Sequence, residues 1–127
     1  MLGTTRLVLP LPPSVNHAYR NFTKGGRRMR VPTPKAMAFK REAAWEAKAW
    51  MMARRQQMVP NGTKVALKVW YYWGDRRRHD QDNPLKLLQD ALTGVVWEDD
   101  RWVLPQVMDF DVDKQNPRLE IEIEIMG

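Results

Sequence analysis

The 127-residue chain contains no cysteine. That absence excludes disulfides and thiolate-rich zinc sites, and nothing in the sequence asks for an oxidising compartment, so a reducing cytoplasm fits. Histidine is nearly as scarce, and His17 and His79 are too few and too widely separated for a zinc site. No apolar run approaches the ~20 residues needed to cross a bilayer, and the N-terminal stretch has no signal-peptide core of suitable length. No membrane association is expected. Internal repeats and low-complexity linkers are also absent, and the length fits one domain, residues 1–127, with 43% hydrophobic residues to furnish a modest core.

What the chain has in excess is positive charge. With 21 Lys+Arg against 15 Asp+Glu the formal charge is +6 and the pI is near 9.9, which favours a polyanionic partner, nucleic acid first. Against that background two acidic clusters stand out. Asp80-Gln81-Asp82-Asn83-Pro84-Leu85-Lys86 gathers two carboxylates and a lysine where a loop enters a helix, and Glu98, Asp99 and Asp100 follow beyond that helix. Hard cations such as Mg²⁺ take oxygen ligands, usually one or two carboxylates together with substrate phosphates and water. A basic protein with a compact acidic cluster reads as a Mg²⁺-dependent enzyme acting on a polyanion.

The periodicity predicts an α+β domain of mixed α/β character, with about four strands and two main helices in the order β-α-β-α-β-β. Arg6 to Leu11 alternates as a short strand and is stopped by Pro10, Pro12 and Pro13. From Ser14 to Thr33 there is little periodicity; Asn16, His17, Tyr19, Arg20, Phe22, Lys24, Arg27, Arg28 and Arg30 mix cations with aromatic rings around Gly25-Gly26, and a mobile basic loop is expected. Thr33-Pro34 offers a cap and a first helical residue for a helix running to about Arg55. After an Asn61-Gly62 turn, Val65 to Trp73 is a long strand apolar on much of both faces, so Trp70 to Trp73 are expected in the core and at a dimer interface. Asn83 and Pro84 are expected to cap and start the second helix, which carries Leu85, Leu88 and Leu92 on one face and ends at Gly94. Val107 to Val112 and Leu119 to Ile125 complete the set, the last with an acidic outer face that turns away from nucleic acid.

Asp80 and Asp82 are two apart, so in an extended segment both point to one side and can hold one cation between them. Lys86, one turn further on and near the positive end of a helix, is placed to stabilise charge developing on a phosphoryl group or to orient a water. A plainer reading stands beside this one: Asp82-Asn83 as a helix cap and Lys86 with Asp90 as a surface pair. Arg76, Arg77, Arg78 and His79 adjoin the cluster and can draw phosphates toward it, or form a solvated patch only. Around Lys24-Gly25-Gly26-Arg27-Arg28-Met29-Arg30 lies a second candidate DNA contact.

Taken whole, Asp75 to Asp100, DRRRHDQDNPLKLLQDALTGVVWEDD, resembles the core of the RusA family of Holliday-junction resolvases: a basic run, DxDN, a lysine on the following helix, D-A-L near its end, and a W-x-D-D turn. Leu9-Pro10-Leu11-Pro12-Pro13-Ser14-Val15-Asn16 and the final Ile125-Met126-Gly127 are similar to that family's termini. The resemblance implies that Asp80, Asp82 and Asp100 bind the metal, that Lys86 is the catalytic lysine, and that Asp99 and Asp90 are further candidates. It implies Mg²⁺ as cofactor, with Mn²⁺ as a substitute, and a homodimer that nicks four-way DNA junctions symmetrically. A phage or prophage origin and a place at the nucleoid of a bacterial cytoplasm go with it. Pro84 and Trp102, where relatives commonly carry glutamine, depart from the pattern. A broader flap or fork nuclease and a non-catalytic junction-binding protein are the alternatives.

Overall fold

The computed structural model describes residues 6–13 and 19–126. In chain order these form β1 (Leu7–Leu9), β2 (Tyr19–Lys24), β3 (Arg27–Pro32), α1 (Pro34–Arg54), β4 (Val65–Trp73), α2 (Asp82–Leu92), a 3-10 turn (Asp100–Trp102), β5 (Val103–Val112) and β6 (Arg118–Ile125). Four strands make a mixed sheet in the order β1-β6-β4-β5, with β4 and β5 parallel and the other neighbours antiparallel. A parallel pair needs a crossover, and α2 with the turn after it supplies that connection.

Burial follows from the alternation of β4. Val65, Leu67, Val69 and Tyr71 are fully buried and Trp73 nearly so, and they share one core with Phe39, Ala43, Ala47 and Met51 of α1 and Leu87, Leu88, Ala91 and Leu92 of α2. The opposite face of the strand is covered by cations. Arg6 lies 3.6 Å over the Trp70 ring and Arg118 lies 4.0 Å over Tyr72. Both arginines are tied to Glu120 of β6, at 3.2 and 2.7 Å. The cover that a strand apolar on two sides requires therefore comes, for Trp70 and Tyr72, from within the chain, and the acidic face of β6 is largely neutralised by it.

Thr33 caps α1 as its sequence indicates, its hydroxyl accepting from the Ala36 amide at 3.3 Å, and the helix ends at Arg55 in a left-handed conformation. Three expectations need correction. The stretch read as a mobile basic loop is, from Tyr19 onward, a hairpin of β2 and β3 in perfect register, closed by Gly25 and Gly26 at φ 59° and 77°. Two successive positive φ values are what a two-residue hairpin turn requires, and Gly-Gly adopts them without steric cost. Second, α2 starts at Asp82 rather than at Pro84. Proline is tolerated there because the first turn has no intrahelical partner for its missing N–H. Third, β5 begins at Val103, four residues before the expected start. None of the described helices is long and apolar enough to cross a membrane.

Candidate metal centre and nucleic-acid interface

After Trp73 the chain leaves the sheet, and residues 74–81 fold back so that α2 begins beside Tyr71. Small interactions fix this return. Asp75 accepts a hydrogen bond from the Arg77 amide at 2.9 Å and lies 2.8 Å from Nε2 of His79. These two partners, the amide first, hold the Asp75 carboxyl below its ordinary 3.8. The His79 ring stacks on Trp73 at 4.0 Å between centroids, and Trp73 stacks on Tyr71 at 4.8 Å, each pair parallel to within 6°. The phenol of Tyr71 then donates to the Gln81 carbonyl at 2.9 Å.

Asp80 and Asp82 emerge from this framework, both exposed. An Asp80 carboxylate oxygen accepts from the Asp82 amide at 2.9 Å and so satisfies a free amide at the start of α2. Burial, then Asp80, then Asp82 push the Tyr71 phenol well above its ordinary 10.0. Both carboxylates therefore act on one point. They line, with Arg78, His79 and Gln81, an open polar depression of about 570 Å³. A groove of about 630 Å³ along α1, at Trp45, Lys48 and Val95, is almost wholly apolar and shares no residue with it.

Lys86 is exposed one turn into α2 beyond Asp82. The surface pair with Asp90 is not formed among the described ion pairs. Asp100 is elsewhere. It opens the 3-10 turn ahead of β5, whose Val103 pairs with Val65 at the start of β4, whereas Asp80 and Asp82 lie by Tyr71 towards its end. Six residues of extended chain cover about 20 Å. Among the described residues no three Asp, Glu or His side chains come together as a metal site. One chain thus offers two carboxylates lining one depression, a set that suits Mg²⁺ when phosphate and water complete its shell.

Arg76, Arg77 and Arg78 are exposed beside the depression, and Lys24, Arg27 and Arg28 are exposed at the tip of the β2–β3 hairpin. Arg30 lies on β3, opposite Asn21. Asn16 falls outside the described residues. Sequence reasoning took His79 for another phosphate-attracting cation and passed over Asp75, Tyr71 and Trp73 as site residues. The alternation that puts Tyr71 and Trp73 on one face of β4 is legible in the sequence; the stacking of Trp73 on His79, six positions later, is not.

The match to known proteins follows the same residues. The model of the family "Endodeoxyribonuclease RusA" matches residues 10–124. This chain belongs to the RusA family. It is 32% identical to the crossover junction endodeoxyribonuclease RusA of Enterobacteria phage 82 over 131 aligned positions, which cover 99% of this chain and 98% of that relative. Identity and coverage are the same for the RusA protein of Escherichia coli strain K12. With both chains matched almost end to end, the RusA resemblance includes the β2–β3 hairpin as well as the acidic loop.

Proposed function

We propose that this RusA-family chain is a divalent-cation-dependent nuclease that resolves four-way DNA junctions by paired, symmetric nicks. The observation that carries the reading is that Asp80 and Asp82 line one open depression beside exposed arginines in an otherwise basic protein. In this reading Asp80 and Asp82 hold Mg²⁺, or Mn²⁺ in its place. The ion supplies charge neutralisation at a phosphoryl oxygen and a more acidic water. Lys86 faces the developing phosphoryl charge. Arg76, Arg77 and Arg78 hold the phosphates on either side of the scissile bond against carboxylate repulsion. Lys24, Arg27, Arg28 and Arg30 on the hairpin, together with Asn16, grip a neighbouring arm by its backbone; shape and phosphate, not base edges, carry such recognition.

Asp100 enters through a second copy. It does not join Asp80 and Asp82 in a three-group cluster among the described residues, and a junction has two-fold symmetry, so a C2 dimer in which each Asp100 reaches the partner's acidic loop gives two equivalent sites for two equivalent strands. The edge strand β5 carries Leu104, Met108 and Phe110 between 45% and 59% exposed, apolar groups available to such a contact although the register shift opposite Val69 and Trp70 puts Leu104 and Phe110 on different faces. The same reading puts the protein at the nucleoid of a bacterial cytoplasm.

The test is cleavage of a labelled mobile four-way junction with Mg²⁺ or EDTA, beside linear duplex and the Asp80→Asn variant. Symmetric, metal-dependent nicks lost in Asp80→Asn, with junction binding kept or improved, support the reading. Equal cutting of linear duplex excludes it.

A further inference from the structure

The acidic loop is pinned at two points that flank Asp80. On one side the His79 ring lies 4.0 Å from Trp73, parallel to within 6°; on the other the Gln81 carbonyl is held at 2.9 Å by the Tyr71 hydroxyl. Both anchors belong to β4, the most deeply buried strand, where Tyr71 is fully inaccessible and Trp73 is 7% exposed. His79 is itself clamped from the solvent side by Asp75 at 2.8 Å, and Asp75 also holds the Arg77 amide. A loop of eight residues between Trp73 and Asp82 would otherwise leave Asp80 free to move away from Asp82, because ordering a loop costs backbone entropy.

We propose that His79, acting through its stack on Trp73 and its bond to Asp75, is a positioning residue that preorganises Asp80 and Asp82 for a divalent cation. The proposal rests on the reading that those two carboxylates bind the cation. His79 neither ligates nor transfers a proton in it. The imidazole is flat enough to lie parallel on the indole while one ring nitrogen reaches Asp75, and this joins the rigid strand to the residue immediately before Asp80. Residues that orient metal ligands from behind typically change metal affinity or activity 10–100-fold when removed, and a carboxylate on a loop, as Asp80 is, depends on such support more than one on a helix.

The experiment compares wild type, His79→Ala, His79→Phe and Asp80→Asn by Mn²⁺ titration, using electron paramagnetic resonance of the protein–junction complex in the cold. It adds Mg²⁺ dependence of cleavage, and amide hydrogen exchange of residues 79–82 in metal-free protein. His79→Ala is expected to weaken Mn²⁺ binding and to raise the half-saturating Mg²⁺ concentration by about tenfold. Its amides 79–82 should exchange faster while junction affinity in EDTA and the melting temperature stay near wild type. His79→Phe, which keeps a flat ring on Trp73, should recover most of the Mn²⁺ affinity. Wild-type Mn²⁺ binding and exchange in His79→Ala overturn the proposal. Should His79→Ala lose its cooperative melt, Asp75→Ala, which removes the bond and leaves the stack, takes its place, with a loss of Mn²⁺ affinity expected to match the smaller one of His79→Phe. Asp80→Asn separates the two levels: if it binds Mn²⁺ and cuts like wild type, the cation reading itself fails, whatever His79 does.

Discussion

Tyr71 is where the chemistry of individual residues is most visible. Its phenol donates to a backbone carbonyl inside the core edge, and burial together with the Asp80 and Asp82 charges disfavours the phenolate. A group that holds its proton more tightly when folded contributes stability that is complete below its unfolded value, 10.0 here, and that is lost as pH rises above it. An absorbance titration in EDTA should therefore find one of the three tyrosines retaining its proton past pH 10.0 until the chain unfolds, and the melting temperature should fall through that range. Asp75 and Asp113 show the opposite sign. Asp75 is lowered by the Arg77 amide and His79, Asp113 by Arg118 and then the Asn116 amide. Their contribution is present above 3.8 and is lost as pH falls below it; with both carboxyls solvent-exposed, the acid effect should be small.

Among the elements, α1 was the most readable and the hairpin the least. The Thr33-Pro34 start and Ala36, Phe39, Ala43, Ala47 and Met51 on the core side follow directly from capping chemistry and 3.6-residue spacing. Thr33→Ala should cost about 1 kcal/mol in a urea melt. The hairpin escaped because its strands carry cations at Lys24, Arg27 and Arg28 and no alternation of apolar residues, leaving Gly25-Gly26 as the local signal. Gly26→Val places a branched side chain at φ 77°, which should loosen the hairpin and weaken junction binding several-fold by gel shift while the core melt is unchanged. The crossover after α2 depends on Trp97, 1% exposed and bonded through Nε1 to the Thr93 hydroxyl at 3.0 Å. Trp97→Ala should destabilise by about 3–5 kcal/mol.

For the whole molecule the question is how a basic chain with two carboxylates lining one depression becomes a symmetric enzyme. If Asp100 serves the partner's site, a mixture of Asp80→Asn and Asp100→Asn proteins contains heterodimers with one intact site and one doubly altered site. Mixing two inactive variants should then restore nicking of a single strand of the junction. No recovery is expected if each chain builds its site alone. Phe110→Glu, on the edge strand β5 and 59% exposed, should shift sedimentation toward a monomer and abolish cutting without lowering helix content.

The sequence by itself determined the α+β class, the long central strand, both helices to within a few residues, and the RusA motif with its Asp80, Asp82, Lys86 and Asp100 candidates. These are local matters: side-chain period, caps and motif spacing lie within one stretch of chain. Only the tertiary structure decided the parallel pairing of β4 with β5, which separates Asp100 from Asp80 and Asp82, and the stacking of Tyr71, Trp73 and His79 behind the acidic loop. Strand order and ring stacking are set by packing between segments distant along the chain, where propensity and period carry no information.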